Sequence, residues 1–191
     1  MLLAFGGVTK YAFGSELILR PPGGQDEDHF IATCIKCDRC RSACPLNCIA
    51  VANMNDGLLN ARTPKMDYHK GYCNFCVDQS KKLCIANCPT GALKDFDFEK
   101  EWISPAIIDT TLCIAYAPEG GGCRKCVDVC IYGAITLDDY SRPLVDTSKC
   151  NGCGRCEYIC PSNSYKRFSG IRKRAITIEA TERPRSGGGA S

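Results

Sequence analysis

The stretch CNGCGRCEYICP, Cys150 to Pro161, sets cysteines at offsets 0, 3, 6 and 10 and follows the last with proline. Two residues between thiols let a loop wrap one metal centre, with backbone N–H groups turned toward its sulfurs. Three of the four thiols can share one cubane in this way. The fourth lies about one helical turn past the third, and Pro161 has no N–H with which to carry the helix on. That thiol points away from the first centre and serves a second, so the run predicts [4Fe–4S] clusters in pairs that exchange one ligand each.

Working outward, the chain repeats this unit about every forty residues. Cysteine groups open at Cys34, Cys73, Cys113 and Cys150, in steps of 39, 40 and 37 residues. The first group (34, 37, 40, 44) has the same C-x2-C-x2-C-x3-C-P spacing as the fourth (150, 153, 156, 160). The second (73, 76, 84, 88) and third (113, 123, 126, 130) are stretched, and the third has Ile131 where the others have proline, so its helix exit is expected to differ. The flanks repeat as well. AIIDTTLC (106 to 113) matches LVDTSKC (144 to 150), each a strand feeding a binding loop, and PLNCIAV, PTGALKDF, IYGAITL and the later AITI (175 to 178) follow the groups as a turn leading to apolar residues.

Four groups of four leave Cys48 over from seventeen cysteines. It aligns with Ala92, Ala134 and Ser164, a position for something small, and is read as a buried thiol and not a ligand. Zinc ribbons give no role to a third thiol at x2 followed by x3-C-P, and His29 and His69 are the only histidines for mixed sites. An odd cysteine total with successive x2 spacings offers no disulfide scheme. Iron–sulfur ligation is the remaining reading.

Spacing leaves two pairings open: nested (first group with fourth, second with third) and sequential (first with second, third with fourth). The match between the two compact groups favours nesting.

Cysteine is roughly 9% of the 191 residues, the range in which cross-links replace a large apolar core. The formal charge of +3 assumes neutral thiols. Four oxidised cubanes with sixteen thiolates would turn it to about −5, so the basic balance implies no nucleic-acid partner. No apolar run reaches the length of a membrane span. The opening MLLAFGGV with Ala12-Phe13-Gly14 before Ser15 reads either as the tail of an export signal or as a non-specific apolar start.

LRPPGGQDEDHFIATCIKCDRCRSACP (19 to 45) and CNFCVDQSKKLCIANCPTGAL (73 to 93) resemble the ferredoxin-type proteins of periplasmic nitrate reductase and methylamine utilisation systems. More distantly they resemble the four-cluster subunits of dimethyl sulfoxide reductase-type molybdoenzymes. The resemblance runs from about Leu19 to Ile178. It implies four [4Fe–4S] clusters with nested ligation: Cys34, Cys37, Cys40 and Cys160; Cys73, Cys76, Cys84 and Cys130; Cys113, Cys123, Cys126 and Cys88; and Cys150, Cys153, Cys156 and Cys44. It implies single-electron relay between a membrane-embedded quinol-oxidising iron–sulfur partner and a terminal redox enzyme. It also implies a membrane-associated place on the periplasmic face. The twin-arginine signal common in the family is not visible here, which keeps a cytoplasmic polyferredoxin as the alternative.

The expected fold is α+β and loop-rich, with two ferredoxin-like dicluster halves. An inner half spans 65–140, an outer half joins 28–62 to 141–180, and an N-terminal arm (1–27) and a tail (181–191) flank them. The arm Leu19 to Gly24, extended by its prolines, is expected to lie along a neighbouring surface. No catalytic constellation accompanies the cysteines, so the chain reads as an electron-transfer subunit without an active site of its own. Gly120 to Gly122 lacks the Lys-Ser/Thr of a phosphate loop and reads as slack between Cys113 and Cys123. His69 reads as a solvent-facing loop residue, Trp102 as packing, KRFSGIRKR (166 to 174) as a solvated basic face, and PRSGGGAS as a flexible tail.

Overall fold

The computed structural model of the chain describes residues 17–97, 100–118, 121–162 and 173–181. The expectations for MLLAFGGV, Ala12 to Gly14, Gly120, Ser164, the basic insert up to Arg172 and the PRSGGGAS tail lie outside these residues.

Short elements alternate with loops. Helix α1 (Glu27–Thr33) precedes α2 (Arg39–Ser42), β1 (Ile49–Val51), β2 (Pro64–Met66) and α3 (Leu83–Ala86). There follow β3 (Ala106–Ile108), α4 (Lys125–Asp128), β4 (Ile135–Leu137), β5 (Pro143–Val145), α5 (Arg155–Ile159) and β6 (Ile176–Ile178). Three antiparallel two-stranded sheets form: β1 with β2, β3 with β6, and β4 with β5. In β3 and β6, Ala106 lies opposite Ile178 and Ile108 opposite Ile176.

Strands β3 to β6 and helices α4 and α5 thus make one contiguous β-α-β-β-α-β unit, closed by the pairing of its first and last strands. The two strands predicted from AIIDTTLC and LVDTSKC are β3 and β5. Each runs into the same turn: Asp109 accepts from the N–H of Thr111 at 2.9 Å, and Asp146 from that of Ser148 at 3.0 Å. Glu157 on α5 accepts the Ile178 N–H at 2.7 Å and ties that helix to β6.

The division is sequential, not nested. Helix α2 packs on α3 and α4 on α5, while no strand pairing joins 28–62 to 141–180 among the described residues. The inner half over 65–140 and the outer half of 28–62 plus 141–180 are therefore replaced by a first half within 17–97 and a second within 100–181. The reason is local. An antiparallel strand pair lies between the two helices of each half, β1 with β2 between α2 and α3 and β4 with β5 between α4 and α5, and turns the chain back so that consecutive helices meet.

The first half lacks the closing strand pair, and the arm takes its place. Residues 20–24 are buried, the Leu19 carbonyl accepts the Met66 N–H at 2.7 Å, and the Gly23 carbonyl accepts the Lys94 N–H at 2.9 Å. The surface along which the arm lies is this chain's own core. Arg20, 3% exposed, anchors it by donating to Glu27, Thr63, Asn60 and the Pro64 carbonyl, with its guanidinium 4.6 Å above the Phe30 ring. A lysine keeps the charge but cannot supply this fork. Arg20→Lys is expected to cost about 2 kcal/mol of stability, read as a lowered midpoint in anaerobic denaturant unfolding.

Candidate iron–sulfur centres

The cysteine loops share one backbone device. In all four groups the residue before the second cysteine has a left-handed conformation: Lys36, Phe75, Gly122 and Gly152, with φ between 52° and 80°. That kink curls the chain around its thiols and aims N–H groups inward. A second left-handed residue recurs three positions after the fourth cysteine, at Asn47, Gly91 and Gly133. Gly133 follows Ile131, and its N–H bonds the Cys130 carbonyl much as Asn47 bonds that of Cys44, so isoleucine in place of proline leaves the turn after the third group intact.

The thiols gather into four sets. Cys40 has Cys34, Cys37 and Cys88 as its thiol neighbours, and these four make set A. Cys73, Cys76, Cys84 and Cys44 line one cavity, set B, and Cys48 lines it with them. Cys113, Cys123, Cys126 and Cys160 line a second, set C, with about 360 Å³ of empty space partly open to solvent. Cys150, Cys153, Cys156 and Cys130 line a third, set D. Each set joins three thiols of one group to the fourth thiol of its sequence neighbour. The structure therefore brings together different fourth partners from the nested ones: Cys88 and not Cys160 beside Cys34, Cys44 and not Cys130 beside Cys73, Cys160 and not Cys88 beside Cys113, and Cys130 and not Cys44 beside Cys150.

Several observations fit cubanes at these sets. The cavities are walled mainly by thiols and apolar side chains, with Ser162 and Lys125 at set C, Asn74 at set B, and Asn151 and Arg155 at set D. Backbone N–H groups reach sulfur from Phe75 to Cys73 (3.4 Å), Ala106 to Cys150 (3.4 Å) and Ala134 to Cys130 (3.3 Å). Burial pushes the Cys40, Cys84 and Cys126 thiols up to about 12 and Cys153 to about 11. A positive core must displace those protons, so loading is favoured as pH rises. Cys44 runs the other way: the Cys48 thiol holds it down at about 6 against burial, helped by the N–H groups of Cys48, Leu46 and Asn47.

The sets follow one another through the molecule. Cys40 of set A neighbours Cys84 of set B. Between the halves, the Cys73 N–H of set B donates to the Cys153 carbonyl of set D at 2.8 Å, and the fully buried Tyr68 hydroxyl donates to Gly152 at 2.6 Å. Cys126 of set C neighbours Cys156 of set D. The order is A, B, D, C.

Two matches to known families fall on these loops: a 4Fe-4S binding domain over residues 31–55 and a 4Fe-4S dicluster domain over residues 121–164. The chain is 33% identical over 176 residues to the ferredoxin-type protein NapG of Escherichia coli, covering 83% of this chain and 72% of that protein. The chain belongs to the ferredoxin-type 4Fe-4S proteins. It is also 37% identical over 155 residues to the methylamine utilization ferredoxin-type protein MauM of Methylophilus methylotrophus (75% of this chain, 66% of that one). With the ferredoxin-type protein NapF of Escherichia coli the identity is 31% over 147 residues (75% and 80%). As a member of this family the chain is an iron–sulfur electron-transfer protein.

The remaining sequence candidates fall around the sets. His69 is about half exposed, with Nε2 4.0 Å from the Glu157 carboxylate. Trp102 is half-buried. Of the basic insert's described end, Lys173 pairs with Glu179, while Arg174 donates to the Tyr68 and Glu157 carbonyls and so ties the halves together. Cys48, Ala92 and Ala134 are all at most 2% exposed, the small-residue position that the repeat alignment predicts.

Proposed function

We propose that the chain is a four-cluster relay, with sets A, B, D and C each holding one [4Fe–4S] cluster and all cysteines but Cys48 as ligands. When bound, such a cluster takes up and releases one electron at a time. The chain's residues hold the four sets in file and bury one thiol each of sets A, B and D: Cys40, Cys84 and Cys156. The observation that carries this reading is the adjacency of sets B and D across the Cys73–Cys153 backbone bond, which joins two separate pairs into one series.

Sets A and C stand at the ends of the file and are the places for exchange with partners. Set A includes Cys37, the one exposed cysteine, flanked by exposed Ile35, Arg39 and Arg41. Likeness to the ferredoxin-type proteins NapG and MauM supports electron exchange with redox partners; for these the reading takes a membrane quinol-oxidising donor and a terminal redox enzyme, on the periplasmic side. No helix among the described residues is long and apolar enough to cross a membrane.

Chain purified without oxygen is expected to carry about sixteen iron and about sixteen acid-labile sulfide. Zinc at about four per chain without sulfide would overturn the reading.

A further inference from the structure

The fourth thiol of each set, the one borrowed from the neighbouring group, differs in what donates to it. Cys160 of set C has the Ser162 hydroxyl at 3.2 Å. Ser162 is 2% exposed, and its oxygen already accepts the Ala175 N–H at 2.7 Å. Its own proton is therefore left for sulfur, and no water competes for it. Cys44 of set B has the Cys48 thiol at 3.6 Å, with Cys48 only 1% exposed. Cys88 of set A has the Thr90 hydroxyl at 3.8 Å, in an exposed position. Cys130 of set D receives, among the described residues, only the backbone N–H of Ala134. The residue in its hydroxyl position is Tyr132, whose side chain bonds Asn151 instead.

Resting on the four-cluster reading, we propose that Ser162 and Cys48 are positioning residues that raise the reduction potentials of sets C and B by donating to Cys160 and Cys44, while no side chain of the described residues donates in this way to Cys130 of set D. Reduction adds negative charge that spreads onto the ligand sulfurs, and a proton donor aimed at one of them stabilises the reduced form. A buried donor does so more strongly than Thr90, whose exposure lets water screen it.

The test is a dye-mediated, EPR-monitored redox titration of the full chain, loaded without oxygen. Ser162→Ala is expected to shift one cluster's reduction equilibrium about tenfold against reduction, which for one electron is about 59 mV. The other three stay in place. Cys48→Ala is expected to lower a different one, and Ser162→Thr, which keeps the hydroxyl, to stay near the parent value. Four unmoved potentials in both alanine variants at full iron content would overturn the proposal. If Ser162→Ala sheds iron, Cys48→Ala decides alone, since alanine already fills that position at Ala92 and Ala134. Failure of the relay reading itself shows separately, as an unmodified chain with well under about sixteen iron.

Discussion

Replacing Cys160 and Cys113 together by alanine is expected to remove no more iron than replacing either one alone, about four atoms of about sixteen. Replacing Cys160 with Cys34 is expected to remove about eight. Both halves of this result come from the gathering of Cys160 with Cys113, Cys123 and Cys126, and of Cys34 with Cys88. Once one ligand of a cube is lost, the loss of a second from the same cube costs nothing further, whereas a ligand of another cube counts in full. Nested ligation would give the opposite pattern. Iron and sulfide per chain, measured on the three single and two double variants, separates the two. Cys48→Ala serves as the control and should retain all its iron.

Gly152→Ala is expected to destabilise the junction between the halves by about 3 kcal/mol, lowering the melting temperature by roughly 10 °C. Gly152 has φ +80°, and a Cβ there would stand 2.3 Å from the Ser104 carbonyl oxygen and 2.7 Å from its nitrogen. Those are backbone atoms, so no rotamer relieves the overlap. The same short segment accepts three bonds from outside it: Ile103 to Asn151, Tyr68 to Gly152 and Cys73 to Cys153. Displacing it separates sets B and D. Gly91→Ala isolates the conformational part of the cost, because Gly91 has φ +70° with nothing within 4 Å of its Cβ position. Its penalty should be about 1 kcal/mol. A Gly152→Ala protein that melts like Gly91→Ala, with its magnetic coupling between clusters unchanged, would contradict the packing described here.

The gathering of three thiols from each group was legible because those thiols are close along the chain, and short spacings survive in one dimension. The strands β3 and β5 were legible because each ends in the same aspartate turn, Asp109 and Asp146. Which fourth cysteine joins which three was not. The likeness between the first and fourth groups reflects equal loop curvature, with left-handed residues at Lys36 and Gly152 and again at Asp38 and Gly154, and equal curvature says nothing about contact. Contact is decided by the packing of α2 on α3 and of α4 on α5, a tertiary fact. The arm was read as extended, yet the burial of Arg20 depends on partners forty residues away at Asn60 and Thr63. The donors at Thr90 and Ser162 left a trace: both groups read Cys-Pro-hydroxyl, CPT and CPS, a recurrence visible in the letters.

Because each pair of sets is drawn from consecutive sequence, the ribosome delivers all eight thiols of A and B by Cys88, while the second half is still being made. On the four-cluster proposal, metal insertion into the leading pair need not await the second half. The trailing pair has no such head start: its sheet of β3 and β6 closes only when Ile176 to Ile178 has emerged. Biogenesis of this molecule thus has a built-in direction, from the amino end forward.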